Sequence, residues 1–292
     1  MSAPILNQTI QLANGRTLGF AEYGPPEGTP ILYFHGHPGS RLELSLFDNL
    51  ESILTRLNLR IIAVERPGIG LSDSQPGRRF VDWPVDISEF VDKVLKMNRF
   101  NLITYSAGGP FGAVCALKIP ERLEKVTLVS SPCPFNEPGA LEDVGPAFYW
   151  KSAKIHPLLT GLILRMAGRS AKLPPPDKAG MAYVDYDLIA QHENFFPRFM
   201  AVTFVESCRR GTRGPAYEAS LYVKDWGFSV KDIHKKIDLW HGGQDMNAPL
   251  HHMRWLEQRL PEKEIHLFPD EGHVTLFYRY MEEILQSASG CA

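Results

Sequence analysis

At 292 residues, 44% hydrophobic and 22% charged, the chain is long enough for one large α/β core plus an insertion. Its formal net charge of −2 lacks the basic bias that nucleic acid or an anionic membrane surface selects. With no run of ~20 apolar residues and no basic-then-apolar leader in Met1 to Gln11, a soluble, cytoplasmic protein is expected.

The first predicted feature is a hairpin: Thr9 to Leu12 and Thr17 to Tyr23 are joined through Asn14-Gly15, a pair favoured where both turn residues take positive φ. Ile31 to Phe34 predicts a strand. The loop behind it, His35-Gly36-His37-Pro38-Gly39-Ser40, is tight and glycine-bearing, able to turn a backbone N–H toward a reacting group. Further apolar strands near Ile61, Leu102, Val126, Leu239 and Ile265 are separated by helix-length segments, the pattern of a mostly parallel sheet covered on both faces. Between them, Pro84 to Met97 places Val85, Phe90, Val91, Val94 and Leu95 at near-helical spacing, with Pro84 in the first turn.

Asn101 to Phe111 reads NLITYSAGGPF, a short strand, a serine among small residues, then a helix-compatible stretch to Ile119. A serine pinned at a sharp strand-to-helix turn has its hydroxyl pushed above the sheet, and the crowded turn needs small neighbours. Ser106 is therefore the candidate nucleophile, in a G-x-S-x-G pattern whose first glycine is replaced by Thr104 and whose second is Gly108.

From Pro134 to Ile233 the strand–helix alternation stops. Prolines cluster in Leu173-Pro174-Pro175-Pro176-Asp177 and large aromatics such as Phe148, Tyr149, Trp150, Phe199 and Phe204 accumulate. Alternation resumes at Ile237 to Trp240, followed by His241-Gly242-Gly243-Gln244-Asp245, and then at Glu264 to Phe268, followed by Pro269-Asp270-Glu271-Gly272-His273. A serine nucleophile needs a histidine to take its proton, a carboxylate to orient that histidine, and two backbone donors for the oxyanion. His273, in the loop after the last strand, is the base. Asp143, Asp270 and Glu271 compete as orienter, but the offset from His241-Gly242 favours Asp245. The amides of His37 and Ala107 are assigned to the oxyanion.

The chain order Ser, Asp, His is that of the α/β-hydrolase arrangement. With His35 to Arg41 reading HGHPGSR and Glu65 to Asp73 reading ERPGIGLSD, the chain closely resembles the α/β-hydrolase superfamily, in particular small capped serine hydrolases carrying HGxPGSR and ERPGxGxSD loops. The resemblance covers about Gln8 to Pro132 and Lys236 to Leu285; Thr104 for glycine and Glu65 for the more usual aspartate are its departures. It implies a core domain over 1–133 and 234–292 with a helical cap inserted over 134–233.

The reading that follows is hydrolysis of a carboxylic ester, lactone or thioester of a small, largely apolar substrate through an acyl-enzyme on Ser106, without a cofactor. Two alternatives share the same residues: a cofactor-free lyase or cyclase, and a ligand-binding receptor built on a hydrolase fold. The pairs His35/His37 and His251/His252 lack a third converging ligand, so no metal is expected. The cysteines, Cys115, Cys133, Cys208 and Cys291, have neither metal-type spacing nor the density of a disulfide scaffold, and free thiols are expected. The sequence is silent on oligomeric state and names no partner beyond a small-molecule substrate.

Overall fold

The computed structural model describes residues 3–169, 172–174 and 180–290; Pro175, Pro176 and Asp177 of the proline cluster, and Cys291, lie outside them. Eight strands form one sheet in the order β1 (Ile5–Gln11), β2 (Thr17–Tyr23), β4 (Leu59–Val64), β3 (Thr29–Phe34), β5 (Phe100–Tyr105), β6 (Leu123–Val129), β7 (Ile237–Gly242), β8 (Lys263–Phe268). β1 and β2 pair antiparallel at one edge and β2 runs antiparallel to β4, while all pairings from β4 through β3 to β8 are parallel.

Successive residues of the central strands feed opposite faces, which explains the largely apolar character of β3 to β7. Leu32, Phe34, Ile62, Val64, Leu102 and Leu128 pack on one face under helices α2 (Trp83–Phe90) and α3 (Gly109–Lys118). Ile31, Tyr33, Ile61, Ala63, Ile103 and Val129 pack on the other, against α1 (Leu50–Leu57) and two C-terminal helices, Met281–Ser289 and His273–Arg279.

Two local expectations are corrected. The expected hairpin of β1 and β2 forms, but its turn does not take positive φ at both Asn14 and Gly15. β1 ends at Gln11, and of the Asn14-Gly15 pair only Gly15 is left-handed, at φ +84°. The Leu12 amide bonds the Arg16 carbonyl, and the Asn14 side chain caps the Arg16 amide, so the loop is five residues long. The predicted helix from Pro84 is α-helical only to Phe90; Val91–Leu95 widens into a π turn that stops at Lys96, φ +54°.

Strand order positions the site. β3 is flanked by β4 on one side and β5 on the other, so the chain leaves the carboxyl ends of β3 and β5 in diverging directions. Such a switch point opens the crevice in which ligands of open α/β sheets bind. Between β6 and β7 the chain adds five helices among the described residues: α4 (Ala147–Ile155), α5 (Pro157–Ala167), α6 (Tyr183–Gln191), α7 (Phe195–Met200) and α8 (Arg213–Tyr222). This insert has no separate core. Phe135, Tyr149, Trp150, Ala219 and Tyr222 share one hydrophobic cluster with the sheet face that carries Phe34 and Phe111. Helix α9 (Leu250–Arg259) follows β7, and the two C-terminal helices are α10 (His273–Arg279) and α11 (Met281–Ser289). No helix among the described residues is long and apolar enough to cross a membrane.

Candidate active site

Ser106 follows β5 directly, with φ +53°, in the left-handed region that a non-glycine residue occupies only where its surroundings enforce it. A single 3-10 turn, Ser106–Gly108, then leads into α3. The crowding is specific: a Cβ on Gly108 would collide with the Phe34 carbonyl oxygen, and one on Gly109 with Ser131 Oγ. Thr104, where the pattern usually has glycine, is fully buried. Its methyl group occupies space left by Gly112 of α3, whose own Cβ would lie 2.5 Å from Thr104 Cγ2. The helix side chain missing at Gly112 thus makes room for the strand side chain present at Thr104.

His273 opens α10 at the carboxyl end of the sheet, and its Nδ1 lies 2.7 Å from Asp245 Oδ2. Asp245 Oδ1 accepts the amides of Asn247 and Ala248, each at 2.8 Å. Burial alone would neutralise this carboxyl, but His273 and these donors hold it below the usual aspartate range. Burial likewise opposes charge on His273, yet the Asp245 carboxylate outweighs it and the imidazole is raised above its ordinary value. With Nδ1–H donated to Asp245, a neutral His273 presents its Nε2 lone pair to its surroundings. Of the carboxylates weighed from sequence, Asp245 is the one bonded to His273; Glu271 bonds Arg279 instead.

Ser106, Ala107, His37 and His273 all line one cavity of about 260 Å³. Among the described residues Ser106 Oγ makes no hydrogen bond; such contacts often tighten only when substrate is bound. Most of the remaining lining is apolar and comes from the insert, including Phe148, Trp150, Ile163, Met181, Phe199 and Phe204.

Three groups that sequence reasoning missed hold these residues in place. Glu218 of α8 is fully buried and accepts Arg66 through both Nε and an Nη, at 2.9 and 2.7 Å, and Arg78 at 2.7 Å. Burial resists its charge, but Arg66, His37 and Arg78 hold it well below the usual range. Being ionised, it can only accept from His37 Nδ1 at 3.1 Å, so His37 Nε2 must accept the Tyr149 hydroxyl at 2.6 Å. Arg66 meanwhile donates to the carbonyls of His35 and Gly36 at 2.7 and 2.9 Å. The loop carrying the His37 amide is therefore tied to the insert through charged, solvent-excluded bonds.

Asp185 of α6 does the same for the other side. Its carboxylate accepts the amides of His273, Val274 and Thr275 at 2.8, 2.9 and 2.8 Å, satisfying the open first turn of α10. The fit requires a glycine before the histidine, because a Cβ on Gly272 would strike the Asp185 carboxylate. The third group is Glu43, just beyond the His35–Arg41 loop, whose Oε2 accepts the Gly36 amide at 3.0 Å and the Tyr33 hydroxyl at 2.6 Å. No sequence signal marks Asp185 or Glu218: both are isolated acids in the irregular insert, far along the chain from the groups they hold.

Glu65, the other departure from the usual pattern, bonds Arg41 at 2.7 Å and the Leu71 amide at 2.7 Å, clamping the two glycine-rich loops together. Cys115, Cys133 and Cys208 are free thiols. Among the described residues no group of three or more His, Cys, Asp or Glu side chains is arranged to hold a metal ion.

A family model described as alpha/beta hydrolase fold matches residues 29–153, the stretch from β3 through the elbow into α4. The chain has the α/β-hydrolase fold. The chain is 26% identical over 284 residues to a poly(3-hydroxyalkanoate) depolymerase of Ectopseudomonas oleovorans, covering 96% of this chain and 90% of that one. It is 30% identical over 111 residues to a serine hydrolase-like protein of Danio rerio, spanning 37% of this chain but only 33% of that protein. Among solved structures, an esterase from Exiguobacterium antarcticum superposes with a TM-score of 0.68 at 18% identity, over 97% of this chain and 99% of that one. Other similar proteins include a haloalkane dehalogenase of Psychrobacter cryohalolentis, 27% identical over 44% of this chain and 41% of that one.

Proposed function

We propose that the chain is a serine hydrolase that cleaves a carboxylic ester, lactone or thioester through an acyl-enzyme on Ser106. The observation that carries this reading is the meeting, in one cavity, of a serine held at φ +53° and a histidine whose Nδ1 lies 2.7 Å from a buried aspartate. Neutral His273 takes the Ser106 proton as Oγ attacks the carbonyl carbon, and Asp245 offsets the charge the ring gains. The amides of His37 and Ala107 receive the developing oxyanion, a contact whose removal typically raises the barrier by about 3 kcal/mol. His273 then passes the proton to the departing alcohol or thiol. Water attacks the acyl-enzyme by the same route in reverse, releasing the acid and restoring the serine.

The apolar lining and a volume near 260 Å³ support a small, largely apolar substrate, with residues 134–233 acting as a cap that chooses it. The relative that acts on poly(3-hydroxyalkanoate) makes hydroxyacyl esters natural members of a test panel. The decisive experiment measures kcat/KM on esters of increasing acyl length and on lactones, with Ser106→Ala as control and a fluorophosphonate probe reporting on the serine. Turnover that persists in Ser106→Ala, or a wild-type serine that the probe does not label, refutes the assignment.

A further inference from the structure

Glu43 lies in the short 3-10 turn Glu43–Leu46 and is only 5% exposed, yet it lines the Ser106 cavity. Its two oxygens are not equivalent. Oε2 is occupied by the Tyr33 hydroxyl and the Gly36 amide. Oε1 has no hydrogen-bond partner among the described residues. Gly36 separates it from the nucleophile: a Cβ built there would stand 3.1 Å from Glu43 Oε1 and 3.3 Å from Ser106 Cβ. Apart from Ser106, His273 and Asn247, the other polar side chains around the cavity are already engaged. His37 has both ring nitrogens bonded, Tyr149 donates to His37, and Tyr105 donates to the His273 carbonyl. Oε1 is instead open to the cavity, where water or a ligand can supply the donor it lacks. Burial pushes the Glu43 carboxyl above its usual range, and the Tyr33 and Gly36 hydrogen bonds and the nearby Arg66 only partly offset that.

We propose that Glu43 is a substrate-recognition residue whose Oε1 accepts a hydrogen bond from a hydroxyl or amino group close to the scissile carbonyl, so that donor-bearing esters are the preferred substrates. The inference rests on the esterase reading above and narrows it. An apolar cavity alone selects for alkyl groups; a carboxylate oxygen beside the nucleophile adds a demand that an alkyl or ether group cannot meet. Glu43 need not take part in bond making, since His273 and Asp245 already handle the proton.

The test is a set of matched esters that differ at one position: 3-hydroxybutyrate, 3-aminobutyrate, 3-methoxybutyrate and butyrate on the acyl side, and 2-hydroxyethyl against 2-methoxyethyl on the alcohol side. Wild-type protein should favour a donor-bearing member over its methoxy partner in kcat/KM by about tenfold or more, on at least one side. The acyl and amino arms identify which donor is read. In Glu43→Gln the amide oxygen must take over the Tyr33 and Gly36 donors, which turns an NH₂ toward the cavity. That group serves a methoxy oxygen as well as a hydroxyl, so the preference should collapse toward one. Equal rates on donor and methoxy members in wild-type protein overturn the proposal without any variant. So does a preference that Glu43→Gln leaves intact. An active esterase with a flat profile removes Glu43 alone, whereas absence of turnover on every ester together with an unlabelled Ser106 removes the esterase reading and this inference with it.

Discussion

Replacing Asp185 with asparagine separates the insert's effect on the base from its effect on substrate fit. In the native protein Oδ1 accepts the Val274 and Thr275 amides and Oδ2 accepts the His273 amide. Asparagine keeps one acceptor oxygen and turns an NH₂ toward the third amide, so one buried N–H at the start of α10 loses its partner and the charge at the helix terminus disappears. A lost charge-assisted bond and an orphaned buried amide together predict a destabilisation of about 2–4 kcal/mol. The same charge helps to raise His273, so its removal should lower the imidazole's apparent pKa. On the proposed mechanism His273 is the base in its neutral form, so wild-type kcat/KM should rise with pH through a value above the ordinary 6.5. In Asp185→Asn this acid limb should move to lower pH, even as the maximal kcat falls because His273 is less well held. Denaturation by urea and a pH series of kcat/KM on one small ester provide both readings. A variant that loses stability but keeps the acid limb in place would show that Asp185 braces the helix without acting on His273.

Glu218→Gln should leave Arg66 and Arg78 without a buried counter-charge, lowering stability by about 3–5 kcal/mol; in the protein that remains folded, kcat should fall with little change in KM, because the His37 loop shifts while the pocket persists. Ser106→Ala and His273→Ala should abolish turnover to similar extents and add little when combined, since groups acting as one unit are non-additive; losses that multiply would separate the two residues. Gly112→Ala should cost about 1–3 kcal/mol by driving a methyl into Thr104, and Thr104→Ser, which removes the opposing methyl, should recover much of that loss in a double-mutant cycle measured by denaturation.

The features legible in the sequence were those whose physics is local. Apolar runs marked the central strands β3 to β7, where burial on both faces leaves little alternation to misread, while the half-exposed edge strand β8 was read from Glu264 to Phe268. The tight loops after β3, β5, β7 and β8 carried His37, Ser106, Asp245 and His273, so sequence position already implied the carboxyl end of the sheet. The hairpin of β1 and β2 was legible, but the Asn14-Gly15 pair could not show that only Gly15 takes a positive φ once Leu12 and Arg16 pair. Thr104 looked like a defect because its compensation, Gly112, sits on the following helix and has meaning only once strand and helix are packed.

Asp185, Glu218 and Glu43 were illegible for a different reason: each acts on backbone or loop atoms brought near by tertiary structure alone. Their positions also change how the insert is understood. Swinging it away from the sheet would strip Glu218 of two arginines and Asp185 of three amides. The insert is therefore fixed to the sheet at two points, one beside the His37 loop and one beside His273. The outer helices α4 and α5 present apolar side chains to solvent, with Phe148, Leu158 and Leu162 65%, 71% and 54% exposed. Selectivity and chemistry thus share one scaffold: the surface that roofs the pocket is held by the same carboxylates that hold the reacting groups, so substitutions on the face of α6 or α8 turned to the sheet should alter turnover while those at Phe148 alter preference.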